Sequence, residues 1–111
     1  MNTSASPALF VHHVLFYMPA GASAADKAML LEGLQKLARI PSIKLAHIGT
    51  PAQTSREVIE RTYAYSWLCL FDNAEQEADY QQHPIHDAFR QHYAAYWEKV
   101  VIYDALGPVM S

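Results

Sequence analysis

Phe10-Val11-His12-His13-Val14-Leu15-Phe16-Tyr17-Met18 is the stretch on which the fold turns. It is rich in β-branched and aromatic residues and is closed by Pro19-Ala20-Gly21, a composition that predicts a strand ended by a turn. Successive side chains of a strand point to opposite faces. Phe10, Val14, Phe16 and Met18 therefore share one face, and Val11, Leu15 and Tyr17 share the other. A sheet with helices on one side and water on the other alternates apolar with polar residues. This strand is apolar on both sides.

The pattern recurs further along. Thr62 to Phe71 predicts a strand in which Tyr63, Tyr65, Trp67, Cys69 and Phe71 oppose Ala64, Leu68 and Leu70. Val100 to Ala105 predicts a last strand, with Val100 and Ile102 against Val101 and Tyr103, and Ile43 to Gly49 predicts a short one. Ser23 is placed to cap a helix, and Asp26 suits the positive end of its dipole. Leu30, Leu31, Leu34, Leu37 and Ala38 make that helix's apolar stripe, which Pro41 ends. Thr50 to Glu60 is a polar loop. Asn73 followed by Gln76 marks a second cap, for a helix to about Gln82, and His83-Pro84 restarts it as far as about Trp97.

The resulting order, β-α-β-β-α-β, predicts an α+β domain of ferredoxin-like topology with an antiparallel sheet. It occupies residues 9–107, between an N-terminal tail at 1–8 and a C-terminal tail at 108–111. The helical segments can cover only one sheet face, and the loop at 50–60 is too short and polar to cover the other. A bare face of this kind exceeds the apolar patch usual on a monomer. A second copy packed sheet to sheet about a two-fold axis resolves the excess, so a homodimer closing into an α/β barrel is expected. Composition agrees, with 51% hydrophobic and only 17% charged residues in a chain of 111.

The same composition narrows the function. A net charge of −3 with no basic stripe argues against nucleic-acid binding. The single cysteine, Cys69, permits no internal disulfide and suits a reducing compartment. No Lys or Arg precedes Lys27, and His12-His13 interrupts the first apolar run, so a secretory signal is not expected. No apolar run approaches bilayer-spanning length. The expected location is cytoplasmic, with no membrane association.

Six histidines are many for 111 residues, and two of them stand in Tyr80-Gln81-Gln82-His83-Pro84-Ile85-His86-Asp87-Ala88-Phe89. His83, before Pro84, suits a helix cap. His86 heads a stripe continued by Phe89, Tyr93 and Trp97, which places an imidazole on the face turned to the sheet. A polar group there needs a partner, and His12, Tyr65 and Tyr80 are the candidates. A neutral imidazole beside a phenol in a dry pocket suits general acid–base work, with the phenol donating to an oxygen as charge builds on it. A metal held by His83, His86, His12, Asp79 or Asp87 is the competing chemistry, but Pro84 disfavours a shared ligand face and no zinc or iron motif is present. No cofactor is expected. His13 points away from His12, towards the dimer interior. His47 and His92 read as ordinary polar surface, and Cys69 as a buried structural thiol.

Val11-His12-His13-Val14-Leu15-Phe16, the Tyr80 to Phe89 stretch, and Trp97-Glu98-Lys99-Val100-Val101-Ile102-Tyr103-Asp104 together resemble the stress-responsive A/B-barrel domain family. The most specific element is Tyr-x-x-His-Pro-x-His-x-x-Phe. The resemblance spans about residues 10 to 105 and implies a dimeric α+β barrel. Members include structural and ring-forming proteins, and also a plant polyketide cyclase that works without a metal. By position, that likeness implies His86 as catalytic base, Tyr80 as supporting phenol and His12 as a pocket residue. Tyr65 stands where the cyclase has a histidine, a departure that bears on substrate and reaction.

These readings converge on a small-molecule pocket that uses His86 and Tyr80 on a carbonyl compound of polyketide type, with His12, Tyr65, Phe89 and Trp97 contacting the substrate. The ligand expected is small and apolar or aromatic, and the assembly a homodimer or a larger oligomer built from it. Two other classes fit the same fold: a non-catalytic structural or ligand-binding protein, and a cofactor-independent monooxygenase.

Overall fold

The computed structural model describes residues 8–108. The expected tails at 1–8 and 108–111 therefore fall, except for Ala8 and Pro108, outside the described residues. Strand β1 (Leu9–Tyr17) is followed by helix α1 (Ala24–Leu37), β2 (Leu45–Gly49), β3 (Tyr65–Phe71), α2 (Ala74–Gln82), α3 (Pro84–Tyr93), a 3₁₀ turn (Ala94–Tyr96) and β4 (Lys99–Gly107). The sheet runs β2-β3-β1-β4, with every neighbouring pair antiparallel. This is the ferredoxin-like α+β arrangement expected from the order of elements.

The capping residues act as the sequence suggests. Ser23 accepts from the Asp26 amide at 3.0 Å, and Asn73 accepts from the Gln76 amide at 2.9 Å. His83 closes α2 and opens α3: its Nδ1 accepts from the Ile85 amide at 3.1 Å, with Pro84 in the first turn, where no amide hydrogen is missed. Boundaries moved where local bonds compete. The Ile43 amide bonds back to Ile40, so β2 starts two residues later than expected. The Thr62 amide turns to the Glu60 carboxylate, so β3 starts at Tyr65 rather than at residue 62. The α3 helix ends at Tyr93, short of Trp97, because the chain tightens into the 3₁₀ turn there.

Helices lie on one face of the sheet only. Val14 and Phe16 of β1 and Tyr65, Trp67, Cys69 and Phe71 of β3 are buried beneath them, against Leu30, Leu34 and Leu37 of α1. Cys69 is a free thiol in this core, and burial raises its pKa, as befits a packing residue. The α1 and α3 helices meet at Gly33, where an added Cβ would come within 2.6 Å of the Tyr93 ring. Glycine at that point lets the two helices touch.

The opposite face carries Val11, His13 and Leu15, with Leu68 and Leu70 beside them and Val101 and Tyr103 on β4, in the register of the strands. None of these is buried, and Tyr103 is 60% exposed. The loop after β2 does not cover them: most of it is exposed, Val58 by 85%. One chain thus leaves an apolar sheet face open, the situation inferred from the alternation of its strands.

Candidate active site

The antiparallel register sets His12 opposite Cys69 on one side and Asp104 on the other, two rows from Phe16. Strand alternation then turns His12 under the helices, where it is 4% exposed, and His13 to the open face. A buried imidazole needs partners. The His12 Nδ1–H donates to Asp104 Oδ1 at 2.6 Å, and Glu77 Oε2 lies 4.0 Å from the same nitrogen. With a carboxylate on Nδ1, that nitrogen is a protonated donor.

The helices bring the other two polar groups to the same place. Tyr80 lies in the last turn of α2 and is 1% exposed. Its ring stands edge-on to His86 at 4.8 Å between centroids and to His12 at 5.5 Å. The Trp67 indole N–H donates to the Tyr80 hydroxyl at 3.0 Å. That fixes the phenol oxygen, and no acceptor among the described residues takes its proton. Burial holds the Tyr80 pKa far above its ordinary value, so it is a proton donor throughout the physiological range.

His86 sits one turn into α3 and is 8% exposed. Its Nδ1 is buried without a hydrogen-bond partner among the described residues, an arrangement that costs about 1–3 kcal/mol in a folded protein. Burial, reinforced by Arg90 and His12 and opposed by Asp87, lowers its pKa from 6.5 to about 4. At neutral pH it is an uncharged imidazole, able to accept a proton.

These groups line a cavity of about 170 Å³ between α2, α3 and the sheet. Val14, Phe16 and Trp67 form its floor, Phe89 and Trp97 one wall. Phe16 meets both aromatic rings edge-on, and Phe89 stacks on Trp97 at 5.3 Å. The fourth side is β4, which the helices do not reach: Ile102 is 52% exposed. The cavity therefore opens along that edge.

Of the six residues singled out in the sequence, five meet here: His12, Tyr80, His86, Phe89 and Trp97. Tyr65 does not. The register sets it opposite Phe16, where its hydroxyl donates to the Lys27 carbonyl at 2.9 Å, and it lines a different cavity near the turn after β1. His83 is occupied by its capping bond, and among the described residues no three His, Cys, Asp or Glu side chains are grouped as a metal ion requires. Sequence reasoning missed Asp104, Arg90 and Trp67. Asp104 had a signal, as the one charged residue inside the apolar run from Val100 to Leu106. Arg90 lies one turn beyond His86 on the same helix.

The model of the stress-responsive A/B barrel domain matches residues 10–106, the strands and helices just described. The chain belongs to this family. Similar solved structures include a hydroxynitrile lyase from Passiflora edulis, 16% identical, with a TM-score of 0.76 and 96% of this chain and 99% of that one covered. A family member of ferredoxin-like fold from Mesorhizobium loti is 18% identical, with a TM-score of 0.75 and coverage of 93% and 99%. A dimeric ferredoxin-like protein of unknown function from Thermobifida fusca is 21% identical, with a TM-score of 0.71 and coverage of 94% and 95%. At these identities the likeness is one of fold. Among curated proteins, none is similar enough in sequence to count as a relative. Membership in the A/B barrel family agrees with the resemblance drawn from the helix-restart stretch, and no helix among the described residues is long and apolar enough to cross a membrane.

Proposed function

We propose that this A/B barrel protein is a homodimer whose two subunits each use the cavity beneath α2 and α3 for acid–base chemistry on a small carbonyl compound. His86 takes a proton from the carbon beside the carbonyl, and the electron pair moves onto the carbonyl oxygen. The Tyr80 hydroxyl donates to that oxygen as it becomes negative. His12, oriented by Asp104, and the rings of Phe89 and Trp97 hold the substrate. Tyr65 is left out of this assignment, since its hydroxyl is committed to Lys27.

One observation carries the reading. His86 combines an uncharged imidazole, an uncommitted buried nitrogen and an adjoining phenol with a free proton, all in the wall of an apolar cavity. The same fold carries an enzyme in the hydroxynitrile lyase from Passiflora edulis, which is in keeping with catalysis on this barrel. The lining is mostly apolar and aromatic, which suits a carbonyl compound of apolar or polyketide-like character. Dimerisation is supported by the open apolar sheet face and by dimeric neighbours of the same fold.

The test is hydrogen–deuterium exchange next to the carbonyl of small aldehydes, ketones and β-diketones, followed by NMR in D₂O. The wild-type protein is expected to accelerate exchange for at least one, and His86→Ala to lower the rate about 10²–10⁴-fold with the fold intact. Exchange no faster than in buffer across the set, or a His86→Ala protein as active as wild type, overturns the reading. The same barrel acting as a ligand carrier is favoured if a carbonyl compound binds with no exchange.

A further inference from the structure

Another cavity lies on the outer side of the helical layer, in the groove between α1 and α3, and shares only Phe89 with the cavity at His86. Its volume is about 560 Å³, some three times that of the cavity at His86. Met29 and Gly33 of α1 and Ile85, Ala88 and Phe89 of α3 give it an apolar floor. Met29 is 37% exposed there, an unusual position for a flexible apolar side chain with nothing over it.

The charge around this floor is one-sided. Lys36, Arg39 and His92 border it, and no Asp or Glu is among its lining residues, although the whole chain carries a net charge of −3. Glu32, outside the lining, is already engaged: it accepts from the Tyr93 hydroxyl at 2.8 Å and pairs with Lys36 at 3.6 Å. Arg39 has no carboxylate within ion-pair distance among the described residues. An apolar trough with a planar, multidentate cation at its end fits an amphipathic anion, because guanidinium matches carboxylate geometry and the trough shelters a hydrocarbon chain.

We propose that the α1–α3 groove binds a medium-chain carboxylate, its chain along Met29, Ile85 and Ala88 and its carboxylate at Arg39, with Lys36 adding positive potential. The groove faces away from the open side of the sheet, so a dimer formed through that side leaves it free. The proposal does not depend on any reaction at His86.

Decanoate, below its micellar range, is the probe, with binding read by calorimetry and by amide shifts in ¹⁵N–¹H spectra of the full chain. Saturable binding is expected, with shifts centred on Met29, Gly33, Ala88 and His92. Arg39→Glu should weaken it at least 10-fold and Ala88→Trp should block it, while His86→Gln, in the other cavity, should change it less than 2-fold. Decanol, the uncharged analogue, should bind at least 10-fold more weakly than decanoate. Circular dichroism confirms that each variant is folded; should Ala88→Trp not fold, Met29→Trp replaces it. The proposal is overturned by absent or non-saturable decanoate binding, by equal affinity for decanol, by unchanged affinity in Arg39→Glu, or by shifts centred on His12 and Trp67 instead.

Discussion

His12 and His13 are neighbours in one strand and live under opposite rules. His12 faces the helices, is almost wholly buried, and is held by a carboxylate. His13 faces the uncovered side, is half-buried, and its Nε2 is hydrogen-bonded to the Ser66 hydroxyl at 2.8 Å. Strand alternation is the whole cause of the separation. The difference teaches that one side of this sheet has its core within the chain, with His86 Nδ1 left as an unpartnered polar atom at the cavity. The other side offers apolar side chains and a weakly held imidazole to something outside it.

The largest expected effect separates the two sides at adjacent residues of β3. Trp67 is fully buried under the helices and holds the Tyr80 hydroxyl, whereas Leu68 lies on the open face. Trp67→Ala should cost about 3–5 kcal/mol in urea unfolding, through a large cavity and a lost hydrogen bond. Leu68→Ala should cost under about 1 kcal/mol at concentrations where the chain is monomeric. Leu68→Asp should instead act on association: an unpaired carboxylate buried between two sheets costs several kcal/mol, so sedimentation should show a dissociation constant raised roughly 100-fold or more. A Leu68→Asp protein that remains as dimeric as wild type would mean that this face is not the interface.

A second contrast concerns pH. His86 is depressed to about 4 by burial, against 6.5 when unfolded. Between those values the unfolded chain binds the extra proton and the folded one does not, so stability rises with pH across this window and levels off above it. The full difference, reached below pH 4, is about 3 kcal/mol at 1.36 kcal/mol per pH unit. His86→Gln removes this titration. Its urea midpoint should therefore fall less than that of wild type between pH 6.5 and 4.5. Parallel curves for the two proteins would show that His86 is not held neutral.

Asp104 gives a smaller effect and bears on how the site is read from sequence. Its side chain is 46% exposed, so the bond to His12 is partly screened. Asp104→Asn should cost about 1 kcal/mol in thermal or urea unfolding. The amide presents either a carbonyl or an NH₂ to Nδ1, so His12 can change tautomer, which ¹⁵N chemical shifts of the ring would report. An unchanged tautomer and unchanged stability would sink the idea that this carboxylate sets the imidazole.

Most of the fold was legible from local signals. Ser23, Asn73 and His83-Pro84 act through contacts two or three residues away, and strand faces follow from a period of two. The site was legible where it depends on those periods: His86, Phe89 and the side of β1 that holds His12. Asp104 was missed because its bond to His12 spans 92 residues and depends on the β1–β4 register, which no spacing reveals. Tyr65 was assigned to the right face. Its distance along β3 from the cavity, two residues beyond Trp67 towards α1, is again a matter of register.

The finest test returns to His13. Burial is the main reason its pKa lies below 6.5, followed by the charges of His12 and His47. The side chains packed around it on its own face are Leu68 and Tyr103, with Ser66 as its hydrogen-bond partner and His47 across β3. Burial does not depend on the hydroxyl, so Ser66→Ala should leave the His13 midpoint below 6.5 in an NMR titration, with a stability change under about 1 kcal/mol. His47→Ala should raise the midpoint and still leave it below 6.5, since that charge is the smallest of the three causes. A Ser66→Ala midpoint restored to 6.5 would make the hydroxyl, not the sheet face, the determinant. His13 would then say nothing about what covers that face, and the contrast with His12 would rest on geometry alone.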